Sequence, residues 1–177
     1  MILVEPESAE ICAKQGPICL VRSGIWLYGN VRLLTGKLAC VSRSFSLPRP
    51  TAVELDHVET DAEVLVLEGK TLVVGMHNEA HRRSAIVPLR WGSPRIVVFS
   101  GGFRYHLGPD LRDEPSRIGR LWRYQWDPFT DLAISKRAPD KRPTFALVNP
   151  TVERLIAEIV LGSRPELVCL PRPKIAL

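Results

Sequence analysis

Short apolar runs bounded by glycine, proline or charged residues recur along this chain, and they constrain its fold more than any other feature. The runs lie at 18–21, 25–28, 31–34, 38–42, 71–74 and 95–99, and each is four or five residues long. That is the length of a typical strand. Gly29-Asn30, between two of the runs, is a typical two-residue hairpin turn. Residues 18–42 are therefore predicted to form a β-meander.

Helical patterns are fewer than strand patterns. The clearest helix begins at Asn149-Pro150-Thr151 and ends at Gly162, and its apolar residues recur at helical spacing: Val152, Leu155, Ile156, Ile159 and Val160. Many short strands with few helices predict an α+β fold. Its sheet would be largely antiparallel or mixed, built from short hairpins, with two to four helices packed on it. The strand–helix–strand order at 144–170 leaves an α/β fold as the alternative.

The length of 177 residues fits a single domain, 1–177. Pro48 and Pro50 mark the best internal boundary, because each proline fixes φ and restricts the residue before it. An alternative organisation is a β-meander subdomain at 1–47, joined by this proline loop to 51–177.

Charge and cysteine content bound the partners and the compartment. The net charge of +5 permits contact with nucleic acid without requiring it. No apolar run approaches the ~20 residues of a membrane helix, and no basic leader opens the chain. The four cysteines include no Cys-x-x-Cys pair. We therefore expect a cytoplasmic protein with reduced thiols and no membrane partner.

Histidines and carboxylates concentrate at the two ends of 62–76, which is interpreted as a β-hairpin turning at Gly69. Counting back from the turn places Asp61 opposite His77. On an extended strand His77, Glu79 and His81 would share one face. Asp61, His77, Glu79 and His81 are thus candidate catalytic residues, and His77, His81 and Asp61 are candidate ligands of a divalent metal. The alternative is a solvated polar loop at the end of a hairpin.

Arginines alternate with aromatic residues in a helix predicted to begin near Pro115 and to end near Trp126. Guanidinium groups bind phosphates and aromatic rings stack on bases. The candidate nucleic-acid-binding residues are Arg117, Arg120, Trp122, Arg123 and Tyr124, with Lys141 and Arg142 downstream. The alternative is an ordinary amphipathic helix with Trp122 in the core and its arginines in water.

Ser100-Gly101-Gly102 follows a predicted strand and has two interpretations. Such a loop cradles phosphate if a helix opens directly behind it. Residues 103–107 alternate in polarity, however, which favours a turn followed by a return strand.

No motif specifies a reaction, so the sequence does not decide whether the chain is an enzyme. The first hypothesis is a protein that contacts RNA or single-stranded DNA through the basic and aromatic helix. The second is a small hydrolase or nuclease using the His/carboxylate residues, with or without a metal. The third is a non-catalytic subunit that binds other protein subunits.

Overall fold

The computed structural model describes residues 18–21, 24–41, 50–144 and 148–162. In this part of the chain six strands form one sheet in the order β1-β2-β6-β5-β4-β3. The strands are β1 Ile18–Val21, β2 Ile25–Gly29, β3 Leu38–Ala39, β4 Thr71–Gly75, β5 Arg95–Phe99 and β6 Leu132–Ser135. The helices are α1 Ala52–Leu67, α2 Glu79–Arg90, α3 Phe103–Leu107, α4 Arg117–Leu121 and α5 Pro150–Gly162.

The sheet is mixed. Strands β3, β4, β5 and β6 run parallel, whereas β1 and β2 form an antiparallel edge. A mixed sheet with packed helices confirms the predicted α+β class, although five helices are described rather than two to four. The parallel strands lie between Leu38 and Ser135, outside the strand–helix–strand segment at 144–170 on which the α/β alternative rested. Their carboxyl ends meet at one edge, where ligands bind in open parallel sheets.

The predicted hairpin at 62–76 is wrong, because its first half belongs to α1. Thr51 and Glu54 form a capping box at the start of this helix. Inward residues Leu55, Val58, Ala62 and Val66 follow helical spacing and are buried. The apolar run at 64–67 is therefore the last turn of a helix. Gly69, with φ 73°, then turns the chain into β4, which pairs with β3 and β5 in parallel.

The predicted β-meander is also wrong beyond its first hairpin. Residues Val31–Thr35 form a 3-10 helix capped by Asn30, and β3 pairs with β4 instead of β2. Strands β1 and β2 pair in antiparallel orientation and form the first hairpin of that meander. Chain segments on both sides of Pro50 thus contribute strands to one sheet. Residues 1–17, 22–23 and 42–47 of the predicted N-terminal subdomain, and residues 48–49 of the proline loop, lie outside the described residues.

Alternating side chains of the central strands build a core on each face of the sheet. On one face Val73, Ile96 and Ile134 pack with helix α5, whose predicted inward residues are all buried. On the other face strand residues such as Val74 and Val97 pack with α1, α2 and α3. Of the predicted strand–helix–strand unit at 144–170, residues 145–147 and 163–170 lie outside the described residues.

No helix within the described ranges is both long and apolar enough to cross a membrane.

Candidate nucleic-acid interface and histidine–glutamate cluster

The predicted helix at 115–126 is much shorter than expected. Ser116 caps α4 by accepting a hydrogen bond from the backbone N–H of Gly119, and α4 ends at Leu121. Arg123 then adopts φ 64°, and the N–H of Tyr124 donates to the Gly119 carbonyl at 3.0 Å. A left-handed residue after the last turn is a common helix stop, and glycine is the usual residue there. This stop fixes the position of Tyr124 relative to α4.

A buried ion network holds the start of α4 in place. Arg95, with 0% of its surface exposed, donates to Glu114 and to Asp131 and bonds the Ala85 carbonyl at 2.7 Å. The second oxygen of Glu114 accepts from the Ser116 N–H at 3.0 Å. Breaking a buried pair leaves an uncompensated charge, which is strongly destabilising. The network therefore joins the beginning of β5 to the loop that starts α4.

The segment 117–124 packs along helix α2. A Cβ on Gly119 would lie 3.2 Å from Leu89 Cδ1, and the Tyr124 hydroxyl donates to the Leu89 carbonyl at 3.1 Å. The Arg90 guanidinium lies 5.5 Å from the Trp122 ring centroid, within cation–π range. Trp122 is 46% exposed, so it is not the core residue of the amphipathic-helix interpretation. Trp126 occupies the core instead.

Two neighbouring segments thus form one surface rich in arginine and aromatic residues, which we call the Arg–Trp surface. Its members are Arg82, Arg83, Arg90, Trp91, Arg117, Arg120, Trp122, Arg123 and Tyr124. Between α2 and the start of α4 this surface contains a cleft of about 340 Å³, lined by Arg82, Arg83 and Arg117 together with Glu79. A cleft of this volume is at the lower end of the range for small-molecule sites.

The charges of the surface are only partly balanced. Glu59 binds both Arg83 and Arg90. Burial raises the pKa of Glu59, but these two hydrogen bonds and charges outweigh it and lower that pKa. Among the described residues no carboxylate oxygen lies within 4.0 Å of a charged nitrogen of the other four arginines: Arg82, Arg117, Arg120 and Arg123. The surface therefore presents positive charge that is available to an anionic partner.

Lys141 and Arg142 lie in a different segment. The Lys141 carbonyl accepts from the Gly102 N–H at 2.7 Å, and the Arg142 carbonyl accepts from Arg137 at 3.4 Å. Both side chains are exposed. They belong to the loop at 138–143, which packs on the glycine loop after β5.

The glycine loop is explained by this packing. A Cβ on Gly101 would lie 2.6 Å from backbone atoms of Pro143, and one on Gly102 would lie 2.1 Å from the Pro139 carbonyl oxygen. Residues 103–107 form helix α3 and not the predicted return strand. The Gly102 N–H is already bonded to the 138–143 loop, so it is not free to cradle a phosphate.

His77 and His81 do converge, but their carboxylate partner is Glu153 of α5. His77 Nε2 lies 2.8 Å and His81 Nε2 lies 3.1 Å from the same Glu153 oxygen. Burial raises the pKa of Glu153, but hydrogen bonds from the two imidazoles outweigh it and hold that pKa at about 2. A carboxylate with so low a pKa is a weak base near neutral pH.

Backbone hydrogen bonding determines the tautomer of His81. The Gly75 N–H donates to His81 Nδ1 at 3.1 Å, so the neutral ring carries its proton on Nε2. Metal-binding histidines show the opposite polarity, with the second nitrogen donating to an acceptor. His77, His81 and Glu153 have the ligand types and spacing of a metal site. In this tautomer, however, His81 Nε2 donates to Glu153 and has no lone pair for a metal.

The other predicted catalytic residues lie elsewhere. Asp61 is on α1, and its predicted position opposite His77 depended on a hairpin that does not exist. Glu79, in the first turn of α2, lines the arginine cleft. Glu153 was missed because its contact with His77 spans 76 residues of sequence. Arg90 and Trp91, at the end of α2, were missed because their proximity to 117–124 depends on tertiary packing.

No protein-family model matches the chain, and a search of curated proteins finds no similar sequence. A solved structure that resembles it is DNA processing protein A from Helicobacter pylori, described for its single-stranded DNA binding mode. The identity is 14%, the TM-score is 0.49, and the match covers 78% of this chain and 56% of that one. The chain thus spans just over half the length of that protein. A TM-score of this size does not establish a common fold, and the DNA binding is a property of that protein.

Proposed function

We propose that the protein binds single-stranded nucleic acid, RNA or DNA, through the Arg–Trp surface. The observation that carries the proposal is the packing of 117–124 along α2. This packing places Arg117 beside Arg82 at one cleft, neither with a carboxylate partner among the described residues, and sets half-exposed Trp122 against Arg90 at the end of α2.

Phosphates would be contacted by the arginines that no acidic side chain neutralises in the described structure: Arg82, Arg117, Arg120 and Arg123. Arginine presents a planar fork of donors that matches phosphate geometry. Each phosphate neutralised on a single strand contributes about 0.7 to the slope of log affinity against log salt concentration. Four contacts would give a slope of about −3.

Bases would stack on the exposed rings. Trp91 is 50% and Trp122 is 46% exposed. Trp91 is oriented by a hydrogen bond from its indole nitrogen to Glu63 at 3.2 Å, and Trp122 by Arg90 and by edge contact with Tyr124. Rings already held in place lose little freedom on binding. Stacking requires unpaired bases, which favours a single strand over a duplex.

The test is fluorescence anisotropy with labelled single-stranded DNA and RNA of the same sequence across a salt series. Arg117→Gln with Arg120→Gln should weaken binding and lower the salt slope by about 1.4, and Trp122→Ala should weaken binding with little change in slope. Lys70→Gln, which removes a partly exposed cation paired with Glu68, is the matched control. Absence of binding at low salt, or equal affinity for the arginine variant and the control, would refute the proposal.

Lys141→Gln with Arg142→Gln tests the second predicted basic segment. A loss comparable to that of the α4 variant would assign the 138–143 loop to the same interface. Unchanged affinity would restrict the interface to the Arg–Trp surface.

A further inference from the structure

A second, smaller cavity lies at the carboxyl ends of β5 and β6, beside the beginning of α5. Its volume is about 70 Å³, and its polar lining comes from Ser100, Lys136, Arg137, Thr144, Asn149 and Thr151. The position is the one where ligands bind in open sheets with parallel strands. None of these residues belongs to the Arg–Trp surface.

The cavity carries positive charge without a counter-charge. Arg137 donates to the Thr144 hydroxyl at 2.8 Å and to the Arg142 carbonyl at 3.4 Å, both neutral acceptors. Across the described ranges neither Lys136 nor Arg137 has a carboxylate oxygen within 4.0 Å. Glu153, in the first turn of α5, binds the two histidines instead. Two cations thus face one cavity with no acid to neutralise them.

The backbone around these cations is firmly held. The Ser135 hydroxyl donates to the Gly101 carbonyl at 2.8 Å and accepts from the Arg137 N–H at 3.0 Å. This pair of bonds ties the end of β6 to the loop after β5. A site whose backbone is fixed in advance loses less freedom when a ligand binds.

Helix α5 adds a favourable field but few donors. Asn149 already caps the Val152 N–H at 3.2 Å, and Pro150 has no N–H. The dipole of this 13-residue helix still favours negative charge at its beginning. Recognition would therefore depend on Lys136, Arg137 and the hydroxyl groups rather than on the helix end.

The size of the cavity limits the ligand. About 70 Å³ holds several water molecules, but it is far below the ~300 Å³ at which pockets for drug-sized ligands begin. We infer that this cavity binds a single phosphate group, as the free ion or as a phosphate monoester whose remainder lies outside. This site is separate from the Arg–Trp surface and extends the proposed function.

The test is a titration of the full chain with inorganic phosphate, followed by NMR and calorimetry. Binding should perturb the amides of Ser100, Lys136 and Thr151. Lys136→Ala should weaken it about tenfold, the effect of one charge-assisted hydrogen bond. Arg137→Gln should weaken it similarly, and Lys70→Ala is the control. Absence of phosphate binding, or equal binding by Lys136→Ala and the control, would overturn the inference.

A 5′-phosphorylated and an unphosphorylated oligonucleotide distinguish the sources of the phosphate. A preference for the phosphorylated strand that Lys136→Ala abolishes would assign the cavity to a strand end. Equal binding of both strands, with free phosphate still bound, would assign it to the free ion or a small monoester. The Arg117→Gln and Arg120→Gln variant should leave phosphate binding intact, so failure of this inference is distinguishable from failure of the proposed function.

Discussion

Arg123 occupies a backbone position that suits glycine better than arginine. Its φ of 64° ends α4 and aims Tyr124 at Leu89. A left-handed conformation costs an L-residue roughly 1–2 kcal/mol, whereas glycine costs roughly 0.5–1 kcal/mol more in chain entropy. Arg123→Gly should therefore stabilise the fold by about 0.5–1 kcal/mol. For a chain of this size that raises Tm by about 2 °C.

The same substitution should weaken nucleic-acid binding, because it removes one of the arginines proposed to contact phosphate. The salt slope for single-stranded DNA should fall by about 0.7. Arg123→Gln is the matched control: it removes the charge and keeps the strained backbone, so it should lower the slope without raising stability. Urea denaturation measures the stability and fluorescence anisotropy measures the slope. A destabilised glycine variant would refute the conformational reasoning, and an unchanged slope would refute the role in binding.

Three further predictions concern the rest of the molecule. Glu114→Gln should lower the free energy of unfolding by about 3 kcal/mol, because it leaves a buried arginine partly unpaired. Asp140→Asn, which breaks an exposed ion pair, is the control and should change this free energy by under about 1 kcal/mol. Similar losses for the two variants in urea denaturation would contradict the prediction. Burial lowers the pKa of His106 from 6.5 to about 4, so the folded state binds this proton only at a lower pH than the unfolded state does. The free energy of unfolding should therefore fall by up to about 3 kcal/mol as pH decreases through this range. If His106→Phe shows the same pH-dependent loss in denaturation, another group is responsible. Wild-type protein loaded with zinc should lose the metal on dialysis, because His81 Nε2 carries a proton and has no lone pair to offer. If the wild-type protein retains zinc and His81→Ala does not, this ring changes tautomer and the metal hypothesis is restored.

The parts of the fold that the sequence predicts well are those with one dominant period. Helix α5 has an unbroken helical stripe with a start and a stop, and Arg95–Phe99 is a buried strand between turns. Residues 64–67 are all apolar, so these four positions alone do not distinguish the period of a helix from that of a strand. The capping box at Thr51 and the spacing of Leu55, Val58 and Ala62 resolve that ambiguity only when the whole helix is considered.

The Arg–Trp surface was likewise predictable only in part. Residues 117–124 are contiguous, so their arginine and aromatic character is visible locally. Their partnership with Arg90 depends on tertiary packing across 32 residues between Arg90 and Trp122, and Glu153 reaches His77 across 76. No local pattern encodes such contacts. Asp61 was paired with His77 through an assumed strand register, and the change from strand to helix removed the basis for that pair.

Photocrosslinking tests the central claim most directly. A short single-stranded oligonucleotide would be crosslinked to the protein by ultraviolet light, and the modified peptides identified by mass spectrometry. Binding through the Arg–Trp surface predicts crosslinks at Trp91, Trp122 or Tyr124 that high salt abolishes. Crosslinks confined to peptides outside 82–91 and 117–124 would contradict it.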